Sequence, residues 1–357
     1  MWSEDDAMRV LVLGGTRFFG RATVERLIEH GHRVTVLSRG VTPLPFSPDA
    51  VRHLRCDRNE RGAAAELLSG EPPFDVVFDN SAMTESAVRE VLEGIRPPVR
   101  YILTSSGAVY HRPHETPMER LPGVAERPEE YDPFDFLRPL REDRVPLDSK
   151  WLEREIAAEE PGYRRGKLEA ERVLIEMTRG NRTSPVILRP PQIEGPRDPT
   201  GRTEFFARRV RDGRGVILPA DGAGGVFQKV FSEDLAELVV DAVECPEQIE
   251  GAYNVAREEI FTMERYLGGL ALILGVDAPP IHYLSRAQIR DSLGANYRVP
   301  VPSPKVADVS RAKTQLGFEP KEYSYRMTST LRWILDRAAA PGYSELRERE
   351  LKILARL

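Results

Sequence analysis

The sequence predicts an α/β fold in which a doubly wound parallel sheet is followed by a smaller C-terminal lobe. The first observation is a short apolar run at 9–13 that ends at two glycines and leads into a helical pattern. The second is the recurrence of such runs, separated by helical stretches, through the first 190 residues. Strands alternating with helices are typical of parallel sheets covered on both faces. The third is the frequency of Pro and Gly from 196 onward, which is typical of loops around a binding site.

The predicted elements come in the order that this fold requires. Strands are predicted at the short apolar runs 9–13, 33–37, 51–54, 75–78, 100–104 and 185–188. Helices are predicted from Phe18 to a C-cap at Gly31 and at 61–68, 85–92, 150–160 and 163–177. Because helices separate several of the strands, we expect a parallel sheet with crossover connections.

A chain of 357 residues can hold one large domain and a second lobe. We predict a Rossmann-type dinucleotide-binding domain at 1–190, to which 225–257 returns. The substrate-binding lobe is predicted at 191–224 and 258–330, and a C-terminal helical segment at 331–357.

Composition excludes several classes of protein. The net charge of −5 argues against a bulk electrostatic grip on a phosphate backbone. Two cysteines in a long chain are no disulfide framework, and no apolar run is long enough to cross a bilayer. We therefore expect a soluble, cytoplasmic protein with a small-molecule substrate and with neither nucleic acid nor membrane as a partner.

The turn after the first strand is rich in glycine. Glycines let the backbone turn tightly and approach a pyrophosphate, which binds to unpaired N–H groups at the start of the next helix. The position of this turn, directly between a strand and a helix, makes it a stronger indication than a glycine motif alone. The predicted cofactor-binding residues here are Gly14, Gly15, Thr16, Arg17, Phe18, Phe19 and Gly20.

The end of the second strand bears on the choice of cofactor. Folds that select NAD usually have Asp or Glu here, which binds the ribose hydroxyls, whereas this chain has Ser38 and Arg39. An arginine pairs with a 2′-phosphate, and Arg17 is a second candidate for that contact. We predict NADP, with NAD as the alternative; the two arginines also fit as solvated surface residues.

Tyr163 and Lys167 are candidates for acid–base chemistry. Their spacing of four places both side chains on one helix face. An ammonium beside a phenol favours the phenolate, and such a phenol can give or take a proton near neutral pH. The fifth strand ends at Thr104 and is followed by Ser106, at the sheet edge where ligands bind. A serine there can hold a substrate oxygen.

Other predicted contacts rest on position alone, and the ordinary polarity of loops explains some of them almost as well. The cofactor contacts of this kind are Asp57, Asn80, Ser81, Ala82, Thr104, Pro190 and Ile193. The predicted substrate contacts are Ser106, His111, Gln192 and Gln228.

Residues 111–160 interrupt the alternation with a run rich in Pro, Glu, Asp and Arg. Both a substrate loop and a solvated insertion fit this composition. His111 and His114 are three apart, but Pro113 breaks helix geometry and no further ligand set is evident, so we expect no metal site.

The chain resembles the extended short-chain dehydrogenase/reductases, also called the NAD-dependent epimerase/dehydratase family. The motifs that carry the resemblance are GGTRFFG, TSSGAVY, YRRGK, LRPPQIEGP, VFSEDLAE and GAYNVA. The first of them, and VPSPKVADVSRAKTQLGFEPK near the C-terminus, are similar to the chloroplast stem-loop-binding proteins and their bacterial relatives. Those plant members are RNA-associated.

The resemblance implies that Tyr163 is the acid/base, that Lys167 favours its phenolate and holds the nicotinamide ribose, and that Ser106 polarises the substrate oxygen. It also implies a homodimer. Arg17 replaces the middle glycine of the family, at the predicted pyrophosphate path. Gly107 and Ala108 replace the Asp-Glu pair of the dehydratase subgroup, so a sugar 4,6-dehydratase is not expected.

Three functions are compatible with these features. The first is an NADP-dependent ketoreductase or epimerase acting on a sugar nucleotide or similar polyhydroxylated metabolite. The second is an RNA-binding protein on the same fold, against which the acidic balance and the intact Ser-Tyr-Lys set count. The third is a cofactor-sensing protein without turnover.

Overall fold

The computed structural model describes residues 7–97, 99–110, 139–220 and 225–357. The strands, in chain order, are β1 Arg9–Leu13, β2 Arg33–Ser38, β3 Val51–Arg55, β4 Val76–Asp79, β5 Val99–Thr104, β6 Thr183–Arg189, β7 Gln192–Glu194, β8 Val216–Pro219, β9 Lys229–Phe231, β10 Gly251–Asn254 and β11 Ile281–Leu284. The helices are α1 Phe18–Glu29, α2 Ala63–Ser69, α3 Glu85–Gly94, α4 Ser149–Ala158, α5 Tyr163–Thr178, α6 Arg202–Asp212, α7 Ser232–Glu244, α8 Met263–Leu274, α9 Arg286–Leu293, α10 Ser310–Leu316, α11 Tyr323–Leu335 and α12 Tyr343–Leu354. Among the described residues, no helix is both long and apolar enough to span a membrane.

Seven strands form one parallel sheet in the order β10-β6-β5-β4-β1-β2-β3. The chain runs outward from β1 to β3 and then returns to the other side of β1 as β4. This reversal is the point at which open α/β sheets bind their ligands, outside the carboxyl ends of the strands. The predicted parallel α/β fold is confirmed.

The inner strands are apolar because helices cover both faces of the sheet. Val10–Leu13 of β1 and the β4 residues Val76–Phe78 are almost entirely buried. One core cluster joins sheet residues such as Leu11, Val77 and Ile187 to the helices packed on them. The strand β10, which the alternation in the sequence did not indicate, closes one edge of the sheet.

The chain divides into two compact units. The first consists of Met1–Pro191, Leu235–Ala256 and Val306–Glu319, and the second of Gln192–Asp234, Arg257–Lys305 and Pro320–Leu357. The second unit holds two small parallel sheets, β11-β8 and β7-β9, and its own apolar core around Phe206, Phe227 and Leu267. The predicted lobes differ from these units at 225–234, which lies in the second unit, and at 306–319, which lies in the first.

Candidate functional site

The glycine-rich turn joins β1 to α1 at the reversal point of the sheet. A Cβ on Gly20 would overlap the Gly14 carbonyl oxygen and come within 2.7 Å of the Asn80 Nδ2, so only glycine fits there. No side chain caps the start of α1 among the described residues, which leaves its first N–H groups available to an anion. The turn therefore retains the features that a pyrophosphate requires.

Arg17 and Phe18 show how the turn accommodates the missing middle glycine. Arg17 has extended backbone with φ −138°, which any residue adopts, and its side chain is exposed. The left-handed conformation falls instead on Phe18, with φ 43°. That conformation is unfavourable for an aromatic residue, so local strain is concentrated at the start of α1.

A cavity of about 350 Å³ opens beside this turn, within the first unit. Six residues that the sequence predicted as cofactor contacts line it: Gly14, Thr16, Ser38, Arg39, Asp57 and Ser81. Residues that the sequence did not predict also line it, among them Val41, Arg58, Asn59 and Met83. The cavity lies where the carboxyl ends of β1, β2 and β3 meet, as the adenosine half of a dinucleotide requires.

The polar groups of the cavity differ in whether they already form hydrogen bonds within the protein. Ser38 Oγ lies 2.9 Å from His53 Nε2 and accepts from Gly40 N at 3.3 Å. The Asp57 carboxylate accepts from the backbone and side-chain nitrogens of Asn59, and the backbone bond is the main reason that its pKa lies below the usual value. The exposed Arg39 guanidinium acts on Asp57 only through its charge. Arg39 is thus a cation at the cavity wall.

Lys167 is buried at the carboxyl ends of the central strands. Lys167 is 3% exposed, and its Nζ donates to the carbonyl oxygens of Ala82 at 2.8 Å and Thr104 at 2.9 Å. Burial lowers its pKa to about 8; Asp79 and Glu171 oppose this shift, and Arg58 adds to it. An ammonium has three donors, so one N–H of Lys167 lacks a partner among the described residues.

Tyr163 begins α5 one turn before Lys167. The residue is 51% exposed, and Lys167 Nζ lies 5.7 Å from the centroid of its ring. Gly166 permits this arrangement, because a Cβ there would overlap the Met83 carbonyl oxygen. The two predicted acid–base residues therefore lie on one face of α5, with an exposed phenol above a buried amine.

The hydroxyl residues after β5 lie in distinct environments. Ser106 is half-buried, and its Oγ accepts from Ala108 N at 3.1 Å. Ser105 is buried and donates to Glu171 at 2.5 Å, so its hydroxyl hydrogen is used in a buried hydrogen bond. Thr104 Oγ1 is buried, and none of the described residues pairs with it. Ser106 is the more accessible of the two serines.

The remaining predicted contacts are divided between the units. Ala82 and Pro190 are buried in the first unit, where Pro190 O accepts from Gly107 N at 2.7 Å. Ile193 lies on β7 in the second unit. Gly15, Phe19 and Asn80 do not line the cavity.

The structure describes three of the four predicted substrate residues. Gln192 and Gln228 both belong to the second unit, on β7 and just before β9. Gln192 Oε1 is buried, and no described residue donates to it, whereas Gln228 is buried with a partner. His111, and most of the 111–160 run, lie outside the described residues.

The buried carboxylates Asp79 and Glu171 and their partners were not predicted from the sequence. Asp79 is fully buried at the end of β4, where it accepts from Arg58 at 2.7 Å and from the Tyr101 hydroxyl at 2.8 Å. Glu171, four residues after Lys167, is fully buried against Arg189 at 2.7 Å. A carboxylate ending the apolar run VVFD was the available signal for Asp79. Its partner could not be identified, because pairing across 21 residues leaves no local pattern.

Comparisons with known proteins agree with this geometry. The model of the NAD dependent epimerase/dehydratase family matches residues 10–132 and 141–256. The "Chloroplast stem-loop binding protein of 41 kDa b" of Arabidopsis thaliana is 26% identical over 333 residues, which cover 89% of this chain and 77% of that protein.

Solved structures share the fold at lower identity. The UDP-glucose 4-epimerase of Thermotoga maritima, solved with UDP-glucose, has a TM-score of 0.66 at 20% identity, covering 92% of this chain and 99% of that one. The UDP-glucuronic acid 4-epimerase of Bacillus cereus, solved with NAD, has a TM-score of 0.65 at 18% identity and the same coverage. The family match spans more than half of the chain, and the chain therefore belongs to the NAD dependent epimerase/dehydratase family, as an enzyme of the extended short-chain dehydrogenase/reductase type.

Proposed function

We propose that this enzyme is an oxidoreductase or epimerase that acts on a hydroxyl or keto carbon of a sugar nucleotide or similar polyhydroxylated metabolite. The observation that carries the proposal is the buried Lys167, held at the carboxyl ends of β4 and β5 one helical turn from the exposed Tyr163. The epimerase structures with the same fold were solved with UDP-glucose or NAD, which favours that substrate class and a nicotinamide cofactor.

The residues of the first unit fit a nicotinamide dinucleotide. The cavity beside Ser38 and Arg39 accepts the adenosine half, and the uncapped start of α1 accepts the pyrophosphate. The third N–H of Lys167 is available to a ribose hydroxyl. When bound, the nicotinamide ring takes up or returns a hydride at C4.

The protein contributes proton transfer and alignment. Tyr163 Oη takes the proton of the substrate hydroxyl when that carbon is oxidised, and returns it when the ketone is reduced. The Lys167 ammonium stabilises the phenolate that is present before the proton is taken and that forms again when the proton is returned. Ser106 donates its hydroxyl hydrogen to the substrate oxygen and holds it near Tyr163.

We further propose NADP as the preferred cofactor. No carboxylate stands at the end of β2, and Arg39 is a cation on the cavity wall without a hydrogen-bond partner among the described residues. A guanidinium paired with a 2′-phosphate forms charge-assisted hydrogen bonds. The exposed Arg17 at the glycine turn is a second cation within the same first unit.

The test is a titration of the purified protein with NADPH and NADH, followed by reduced-nicotinamide fluorescence. We expect tighter binding of NADPH, and we expect Arg39→Asp to weaken it by about tenfold or more, since hydrogen bonds to charged groups contribute about 1.5–3 kcal/mol. Arg33→Asp is the matched control, because Arg33 is an exposed arginine at the opposite end of β2.

Each result has a distinct meaning. A preference for NADH in the unsubstituted protein would overturn the NADP assignment and keep the enzyme. Binding of neither nucleotide, with none released on denaturation, would count against redox function as a whole. The substrate class is then tested by incubating the loaded protein with UDP-sugars and following nicotinamide absorbance and product epimers.

RNA binding is a second candidate function, favoured by the 26% identity to the Arabidopsis stem-loop binding protein. The net charge of −5 opposes it, because phosphate contacts depend on clustered cations. A stem-loop RNA titrated at two salt concentrations distinguishes the candidates. Salt-sensitive binding that Tyr163→Phe leaves intact would support the RNA function, and we expect no such binding.

A further inference from the structure

We propose that Arg58 is a positioning residue that links the adenosine side of the cavity to the catalytic amine of Lys167. The inference rests on the proposed function, which assigns Lys167 its role. It adds a physical connection that runs from the cavity wall through Asp79 to the backbone that holds Lys167.

The first part of the connection is the contact between Arg58 and Asp79. Arg58 follows β3, lines the cavity and is 8% exposed. Its Nη1 donates to Asp79 Oδ2 at 2.7 Å, and its Nη2 donates to Ser81 Oγ at 3.1 Å. Because Asp79 is fully buried, its charge needs compensating cations, which are Arg58 by direct contact and Lys167 by its nearby charge. One face of Arg58 thus meets the cavity while its guanidinium neutralises a carboxylate beneath it.

The second part runs through the turn after β4. Asp79 Oδ1 accepts from Ser81 N at 3.1 Å and from Ala82 N at 3.0 Å, which fixes the backbone of that turn. The Ala82 carbonyl then accepts from Lys167 Nζ at 2.8 Å. The Asp79 carboxylate therefore determines where one of the two carbonyl ligands of Lys167 lies, and Arg58 determines where the carboxylate lies.

The charges around Lys167 make the connection measurable. Asp79 from the end of β4 and Glu171 from α5 favour its ammonium, and Arg58 disfavours it. The Tyr163 ring centroid lies 5.7 Å from Nζ. Removing Arg58 or Asp79 should consequently move the titration of Lys167 in opposite directions.

The test is NMR of the protein labelled with ¹³C at lysine Cε, without added cofactor. The chain has seven lysines, so the Lys167 signal can be assigned by its loss in Lys167→Met. We expect a titration midpoint near 8 in the unsubstituted protein. Arg58→Gln should raise this midpoint by about one pH unit, a tenfold change in proton affinity, and Asp79→Asn should lower it by a similar amount.

Tyr101→Phe is the matched control, since it removes one buried hydrogen bond to Asp79 but no charge, and its midpoint should stay near 8. Simple loosening of the core would admit water and raise the midpoint in all three variants. That result, or midpoints that stay unchanged in both charge variants, would overturn the proposal. If Arg58→Gln fails to fold, a lowered midpoint in Asp79→Asn supports the proposal, because loosening cannot lower it. If Asp79→Asn fails to fold, a raised midpoint in Arg58→Gln supports the proposal when Tyr101→Phe stays near 8, and a rise in both variants overturns it.

The outcome is separable from that of the proposed function, because this titration needs no cofactor. Opposite shifts in a protein that binds neither NADPH nor NADH, and releases neither on denaturation, would uphold the connection and count against the redox function. Dinucleotide binding without these shifts would support the proposed function and overturn the connection. Adenosine 5′-monophosphate, which can fill only the adenosine side, gives a further readout in the unsubstituted protein: it should move the Lys167 signal, and binding without that movement would count against the connection.

Discussion

Tyr163→Phe is expected to lower turnover by ~10²–10⁴-fold, the range associated with a positioned general acid or base. Tyr163 is 51% exposed and its hydroxyl has no hydrogen-bond partner among the described residues, so loss of the hydroxyl should not unfold the protein. Affinity for the dinucleotide should stay unchanged, because the Phe variant retains Lys167 and the cavity. The measurement is the rate of nicotinamide absorbance change, or of epimer formation, with a sugar nucleotide that the unsubstituted enzyme turns over.

Tyr325→Phe serves as the matched control, since Tyr325 is also an exposed tyrosine, 66% accessible, in the second unit. It should retain full activity. Turnover that survives in Tyr163→Phe would remove the acid–base assignment and favour a function in binding or sensing. A loss of dinucleotide affinity equal to the loss of turnover would assign Tyr163 to cofactor binding instead.

Gly20→Ala is expected to lower the free energy of unfolding by about 3 kcal/mol, the upper part of the range for overpacking a tight site. The added methyl would overlap the Gly14 carbonyl oxygen, which is backbone and has little freedom to move. Dinucleotide binding should be lost as well, because the turn and the start of α1 would separate. Gly166→Ala should behave similarly through the Met83 carbonyl.

Gly268→Ala is the control for helix propensity. Gly268 lies in α8 with nothing within 4 Å of an added Cβ, so alanine should raise stability by about 1 kcal/mol there. Urea unfolding of the three variants provides the comparison. If Gly20→Ala proved as stable as Gly268→Ala, the close approach described for the glycine turn would be wrong.

The sheet could be predicted because its information is local. An apolar run such as 9–13, bounded by Gly14, specifies a buried strand without knowledge of its partners. The strand β10 was missed because GAYN reads as weakly apolar and because its neighbour β6 lies more than 60 residues earlier. The small sheets of the second unit have strands of three or four residues, which are too short for a periodic signal.

The candidate site likewise has features that the sequence could predict and features that it could not. The spacing of Tyr163 and Lys167 placed them on one helix face, and the structure agrees. The burial of Lys167 and its two carbonyl partners could not be predicted, because they depend on how α5 packs against the turns after β4 and β5. Nor could the sequence indicate that the strained backbone falls on Phe18 and not on Arg17, since both residues disfavour a positive φ equally.

The composition of the first unit from three separate chain segments has a consequence for biosynthesis. Asn254, on β10, accepts from Tyr110 at 2.6 Å and donates to the carbonyls of Leu140 and Asp308, so it joins parts of the chain that are translated far apart. Contacts of such long sequence separation form late and slow folding. The first 191 residues therefore leave the ribosome without the strand that closes their sheet, exposing the edge of β6 until Gly251–Asn254 has been made. We expect the nascent chain to depend on chaperones during that interval.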